Sequence, residues 1–234
     1  PAHPPGHRAP PAPAVLRPQT DEPLVHARSA AFRLGSLFYR PASRITRDLG
    51  VLALAVLAAR NAADGDARGL RVLDAMSGSG VRTLRYAQEV SSVEHVHAND
   101  LMLAYGDHPL QQNLQPLINQ SLVALTKRNA VELYMEAMLG GREELFDMVD
   151  CDAFGTGQPH TAEAWWAVRK GGLLYLCATD ALTTAGSNPG KASIGFAAVA
   201  PKPLPSCNEA AVRMLIGELC SCTVRNTILD GPLP

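Results

Sequence analysis

The 234 residues suit one sizeable domain with extensions, and a hydrophobic content of 47% supplies a full core. No apolar run approaches the roughly 20 residues of a membrane helix, and a net charge of −1 does not announce a nucleic-acid surface. Five scattered cysteines with no C-x-x-C pair argue against zinc and against a disulfide framework, and for a reducing site inside the cell, nucleus or organelle.

In chain order, residues 1–28 form a Pro/Arg-rich leader that is expected to be disordered. The first 48 residues carry seven arginines against three acids, so this arm either meets phosphates or is simply solvated. A helix is predicted from Ala42 to about Arg60, with Leu49, Leu52 and Val56 at helical spacing and the run Val51–Ala59 buried. Residues 61–69 form a loop. A strand (Leu70–Asp74), a helix (Val81–Glu89) and a second strand (about His95–Ala98) follow. Pro109 and Pro116 break the first half of 101–128, and its second half is expected to be helical. A short strand is expected at Val131–Met135, a buried strand at Phe146–Cys151 and a helix at Thr161–Arg169. Gly171 and Gly172 turn the chain into a strand, Leu173–Ala178. Asn208–Cys220 reads as a helix with Glu209 and Arg213 at i,i+4. Strands alternating with helices predict a Rossmann-like α/β fold, a mostly parallel sheet with helices on both faces over residues 29–220. The chain begins without Met and ends in ILDGPLP, so 221–234 is expected to be the start of a further domain.

Two stretches carry chemistry. The first is RVLDAMSGSGVRTLRYAQEVSSVEHVHAND, residues 71–100. A strand ending in Asp74 runs into a small-residue turn (Ser77, Gly78, Ser79, Gly80) and a helix. The return strand ends in Asn99 and Asp100. Such a turn lets backbone approach a ligand closely, and an acid ending the next strand can accept bonds from two ribose hydroxyls. Together they describe a nucleoside pocket at the carboxyl ends of parallel strands. A dinucleotide fingerprint needs G-x-G-x-x-G, but Thr83 takes the third glycine's place and bulky Arg82 precedes it. The pattern fits S-adenosylmethionine (AdoMet), which has no pyrophosphate to seat on a helix N-terminus.

The second stretch is FDMVDCDAFGTG, residues 146–157. A buried strand delivers Asp150 and Asp152 to its carboxyl end, next to Phe154. An exocyclic amine is a poor nucleophile, because its lone pair is delocalised into the ring. A carboxylate can hold its N–H groups and aim the lone pair at a methyl group. Phe154 can stack on a base drawn out of its helix. The plainer alternative has Asp152 capping the next turn and Phe154 in the core.

The blocks FYRPASRITRDLGVLA (38–53), LRVLDAMSGSGVRTLRYA (70–87) and FDMVDCDAFGTG (146–157) resemble the tRNA guanine N2-dimethyltransferases that modify position 26, most closely the plant and algal branch. GGLLYLCATD (171–180) and CNEAAVRMLIG (207–217) agree. The resemblance implies an AdoMet-dependent enzyme, with tRNA as partner, that works as a monomer and needs no membrane or metal. It implies that Arg47 contacts the methionine part of the cofactor, that Asp74, Ser77 and Gly78 line it, and that Asp100 holds its ribose. Glu136 is the candidate for the acid that binds adenine after the third strand. Asp152 would be the catalytic carboxylate, with guanine held between Phe154 and Phe38. Ala153 stands where the family has Pro, which loses a fixed φ but keeps the carboxylate, the carbonyl and the ring. The stretch Leu101–Leu125 matches poorly, and the family's tRNA-gripping C-terminal domain is not contained before Pro234.

Two other readings are weighed against this one. A DNA-adenine or protein amino-methyltransferase usually carries Asn/Asp-Pro-Pro-Tyr/Phe, and both prolines are missing here. A non-catalytic RNA-binding relative would not need Asp74, Gly78 and Asp100 together. A dehydrogenase fits least, for want of the third glycine.

Overall fold

A computed structural model describes residues 23–104, 106–155 and 158–179, together with Gly190 and Gly217. The leader up to residue 22, the helix expected at 208–220 and the segment 221–234 lie outside the described residues.

Among the described residues, five parallel strands make the central sheet: β3 (Leu70–Asp74), β4 (Val93–Asn99), β5 (Val123–Thr126), β6 (Phe146–Ala153) and β7 (Val168–Ala178). Their spatial order is β5-β4-β3-β6-β7. The chain therefore reverses its direction of progress between β3 and β6, and a crevice opens there at the carboxyl ends. Alternation along the strands sorts the core. Val72, Val96 and Met148 pack with Leu54 and Leu57 of α1 (Arg44–Ala63), Leu84 and Tyr86 of α2 (Val81–Glu89), and Leu110 and Leu114 of α3 (Pro109–Asn119). Leu73 and Val149, one residue on, pack with Leu133 and Tyr134 of α4 (Ala130–Leu139) and with Ala164 of α5 (Gln158–Trp166). A period of two thus gives each strand two apolar faces, as a sheet covered on both sides requires.

Four local expectations are corrected. Residues 25–27 belong to the ordered part, because β1 (Val25–Ala27) pairs antiparallel with β2 (Ala30–Phe32), and Phe32 is fully buried. Val131–Met135 is part of helix α4, capped by Asn129, whose side chain accepts the Val131 N–H at 3.0 Å. Its apparent alternation conceals a helical face of Leu133, Tyr134 and Ala137. The second half of 101–128 supplies strand β5 rather than only helix, and Pro109 starts α3 instead of breaking one. At that first helical position the missing N–H has no intrahelical partner to lose. Along α1 the run 51–59 buries only Leu54 and Leu57, while Ile45, Leu49, Leu52 and Val56 are exposed.

Among the described residues, no helix is long and apolar enough to cross a membrane.

Candidate active site

The carboxyl ends of β3, β4 and β6 open into a cleft of roughly 430 Å³, within the size range of small-molecule sites. Its floor is the turn after β3. Gly78 has φ +54° and Gly80 +80°, both in the left-handed region that favours glycine. A Cβ on Gly80 would meet Leu110 Cδ1 at 2.9 Å, so this glycine lets α2 close on α3. A Cβ on Gly78 would meet nothing within 4 Å, so it would jut into the space a ligand needs.

Asp100 ties this turn to β4. Its Oδ2 accepts the Gly78 N–H at 2.7 Å and its Oδ1 the Met102 N–H at 2.8 Å. Both oxygens keep lone pairs for a ribose. Ser77 lines the cleft with Gly78 and Asp100, and its hydroxyl donates to the Asp74 carbonyl at 3.1 Å. Asn113 holds the turn from behind, donating to the carbonyls of Ser79 and Arg33 and accepting the Arg33 N–H.

Asp74 does not line the cleft, which corrects the expectation for this residue. It is 1% exposed beneath the turn, and its Oδ2 accepts the Thr83 hydroxyl at 2.6 Å. Burial, and then the neighbouring Asp150, push its carboxyl well above the usual range. Thr83, which spoils the dinucleotide fingerprint, is the partner this buried acid requires.

Glu136 is also corrected. It projects from α4 into solvent, 59% exposed, and pairs with Arg128 at 2.6 Å. The cleft wall after β5 is instead Arg128, Asn129 and Ala130. No acid follows β5 before α4 begins at Ala130, so a charged acceptor for adenine is not placed there.

Arg47 lines the cleft although only 6% exposed. Its terminal nitrogens donate to the Arg40 carbonyl at 3.3 Å and to the Tyr39 hydroxyl at 3.2 Å, and its Nε is buried without a partner. The guanidinium sets a positive charge at the cleft wall, which suits an incoming carboxylate.

The strand β6 places Asp150 and Asp152 two residues apart, on one side of the sheet. Both carboxylates meet Arg82, the other residue that spoils the fingerprint. Arg82 Nε lies 3.0 Å from Asp152 Oδ2, and Nη1 lies 3.2 Å from Asp150 Oδ2. Asp150 is fully buried and also accepts the Tyr86 hydroxyl, and desolvation raises its carboxyl. Asp152 is 36% exposed and opens on the cleft with Ala153 and Phe154. Phe154 stands out at 78% exposure, so it is not a core residue. It faces Phe38, which is 66% exposed, at a centroid distance of 5.4 Å. The structure therefore brings Phe38, Arg47, Ser77, Gly78, Asp100, Asp152, Ala153 and Phe154 to one cleft and leaves out Asp74 and Glu136. Sequence reasoning missed Arg82, Tyr86 and Asn113. The first two follow Gly80 at helical spacing, which in hindsight marks one face of α2.

A sheet that is parallel throughout the described residues and runs in this order, with a glycine turn after its central strand and an acid after the next, defines the chain as a Rossmann-like protein of the methyltransferase class. The fold is similar to Trm1 from Pyrococcus horikoshii, solved in complex with S-adenosyl-L-methionine (TM-score 0.69, 22% identity, covering 87% of this chain and 55% of that one). Residues 23–229 match the family described as N2,N2-dimethylguanosine tRNA methyltransferase, and the chain belongs to that family.

Relatives include tRNA (guanine(26)-N(2))-dimethyltransferases of Thermococcus kodakarensis (32% identical, 77% of this chain and 47% of the relative) and Drosophila melanogaster (26%, 87% and 41%). A tRNA (guanine(26)-N(2)/guanine(27)-N(2))-dimethyltransferase of Aquifex aeolicus is 30% identical, over 84% of this chain and 48% of the relative. The chain thus spans less than half the length of these relatives.

Proposed function

We propose that this chain carries the methyl-transfer site of a tRNA methyltransferase that uses AdoMet to methylate the exocyclic N2 of guanine at position 26. The observation that carries the reading is the meeting of three parts in one cleft: a glycine turn tied to Asp100, the acid Asp152, and the exposed pair Phe38–Phe154. Family membership and the AdoMet complex of the similar structure support it.

The residues present fit this cofactor. The open space over Gly78 leaves room for a nucleoside, Asp100 is placed for ribose hydroxyls, and the Arg47 guanidinium at the cleft wall suits the methionine carboxylate. When bound, the cofactor supplies an electrophilic methyl group on a sulfonium. The protein's own part is positioning. Phe38 and Phe154 hold the flipped guanine by its faces. Asp152 accepts an N2–H hydrogen bond, with the Ala153 carbonyl as neighbouring acceptor. The amine lone pair is thereby turned toward the methyl carbon. Transfer would exchange the methyl–sulfur bond of the bound cofactor, its electron pair staying on sulfur, for the new N–C bond, and the part of Asp152 would be to keep the amine aligned for it. The surplus amine proton leaves through the Asp152 side of the cleft, which is open to water.

The test joins calorimetry with single-turnover transfer of labelled methyl. The purified protein is expected to bind AdoMet and not NADH, and to methylate an unmodified tRNA transcript with guanine, but not adenine, at position 26. Asp152→Asn is expected to keep AdoMet affinity and lose about 10²–10⁴-fold in rate, the range for a lost acid–base or orienting group. Equal transfer to both transcripts, or an Asp152→Asn rate within about threefold of wild type, would defeat the reading.

A further inference from the structure

We infer that Arg82 is a positioning residue for Asp152, fixing the oxygen that does not face the substrate so that the other is aimed at it; this rests on the function proposed above.

Arg82 is the second residue of α2, and its side chain is 5% exposed. It is held on several sides. Nη1 donates to Asp150 Oδ2 at 3.2 Å and Nη2 to Cys177 Sγ at 3.3 Å, while Cζ lies 5.4 Å from the centre of the Tyr175 ring. The Tyr86 hydroxyl donates to the same Asp150 oxygen, so Asp150 cannot swing away. The guanidinium is thus anchored by β6, β7 and α2 before it reaches Asp152. Its remaining edge presents Nε and Nη2 to Asp152 Oδ2, each at 3.0 Å. Among the described residues, Asp152 Oδ1 has no hydrogen-bond partner, and the side chain is 36% exposed at the cleft.

This asymmetry is what an orienting carboxylate needs. A free Asp on a strand end samples several rotamers, and each one points its oxygens differently. A planar fork with two N–H groups on one oxygen selects a single orientation, which a lysine ammonium cannot do while also serving Asp150. The competing explanation is that Arg82 only neutralises buried Asp150 and pins α2 to the sheet. In that case its loss would weaken folding and disturb Asp152-dependent and Asp152-independent properties alike.

The two are separated by a double-mutant cycle on the purified protein. Arg82→Lys keeps the buried charge that Asp150 demands but loses the fork. It is expected to lower single-turnover methyl transfer to the guanine-26 transcript 10–100-fold, with the KM for tRNA and the AdoMet affinity each within about threefold of wild type. In the Asp152→Asn background the same change is expected to cost less than threefold, because Arg82 acts through Asp152. Tyr86→Phe loosens Arg82 through Asp150 without removing a charge, and is run in the same cycle in case Arg82→Lys folds poorly. Its expected loss is 3–10-fold, again only when Asp152 is present. Equal losses in both backgrounds, or rates within threefold of wild type, overturn the inference while leaving the tRNA reading intact. A wild-type protein that binds AdoMet yet methylates no tRNA overturns the reading, and this inference with it.

Discussion

The rings of Phe38 and Phe154 meet edge to face across the mouth of the cleft, with centroids 5.4 Å apart and planes at 75°. Phe38 comes from the segment before α1 and Phe154 from the end of β6, so two distant parts of the chain form one aromatic gate. A base stacked on both rings needs roughly twice a van der Waals contact of ~3.5 Å between them. On the function proposed above, the pair must therefore part by about 1.5–2 Å and turn toward parallel as the base enters.

Truncating either ring should then act on the nucleic-acid substrate and not on the fold. Both side chains are mostly exposed, so Phe38→Ala and Phe154→Ala are expected to leave the melting temperature within about 1–2 °C of wild type. Each should lower kcat/KM for the tRNA transcript about 5–150-fold, the equivalent of 1–3 kcal/mol of base stacking. AdoMet affinity should not change. Steady-state kinetics beside calorimetry would check this, and an effect on AdoMet alone would place the gate elsewhere.

Asp100 has two duties, and the prediction must allow for both. Its carboxylate holds the Gly78 and Met102 N–H groups and is also the candidate ribose acceptor. Asp100→Ala removes both, leaving the turn loose, and should weaken AdoMet binding by about 1.5–3 kcal/mol or somewhat more. Asp100→Asn retains one acceptor oxygen and should fall between wild type and Ala. If titration calorimetry finds Ala and wild type equal, Asp100 serves the turn only.

The strands and helices that could be read in advance were those whose periodicity is set by the core: Leu70–Asp74, Val81–Glu89 and the buried Phe146 run. Where the periodicity was ambiguous the reading failed. Val131–Met135 alternates like a strand, yet Asn129 caps a helix there, and only packing against β3 and β6 decides between them. Pro109 looked like a breaker because its value at a helix start depends on His108 preceding it as a cap. In the site, the acids and aromatics at strand ends were legible, since a strand end has a fixed place in such a sheet. Asp74 and Glu136 were misplaced because depth and helix phase are tertiary properties. In the sequence Arg82 stands out only as an obstacle to a glycine fingerprint, although the spacing Asp150–Asp152 on one strand face calls for a cation opposite it.

Acid should destabilise the protein in part through His97. Burial, with the nearby His95, Arg128 and Arg71, holds its imidazole down to about 4. It is neutral in the fold and donates from Nε2 to Thr126 Oγ1 at 2.9 Å, since that hydroxyl itself donates to Asn99 Oδ1. The unfolded chain takes up the proton near pH 6.5 and the folded chain does not. The contribution is therefore intact above about 6.5 and is lost as pH falls toward 4, on the order of 3 kcal/mol for the full shift. The buried carboxyls of Asp74 and Asp150 are raised and act with the opposite sign, so the readout is a difference. Urea unfolding of wild type and His97→Gln at pH 7.5 and 4.5 should show the smaller acid loss in the variant. Parallel curves would mean that His97 does not titrate as argued.

Arg47 gives the most discriminating substitution, because the fold uses its guanidinium and the proposed cofactor site calls for it as well. On sequence alone, Arg47→Lys should weaken AdoMet without touching the apo melting temperature. The structure changes that expectation. The terminal nitrogens of Arg47 fasten the Arg40 and Pro41 carbonyls and the Tyr39 hydroxyl, and Cζ sits 4.6 Å from the Tyr39 ring centre. A lysine can keep one of these contacts but not the fork or the stacked plane. The segment it fastens carries Phe38, so loosening it should also blunt the aromatic gate. Arg47→Lys is therefore expected to lower the apo melting temperature by a few degrees, about 1 kcal/mol. It should also weaken AdoMet about 10-fold, through loss of the planar guanidinium at the cleft wall. The two effects separate with S-adenosyl ligands that lack the amino-acid carboxylate. For these, wild type and Arg47→Lys should bind equally well, whereas AdoMet itself should discriminate between them. A variant that lowers the melting temperature but binds both kinds of ligand as wild type does would make Arg47 a fastener of residues 39–41 alone.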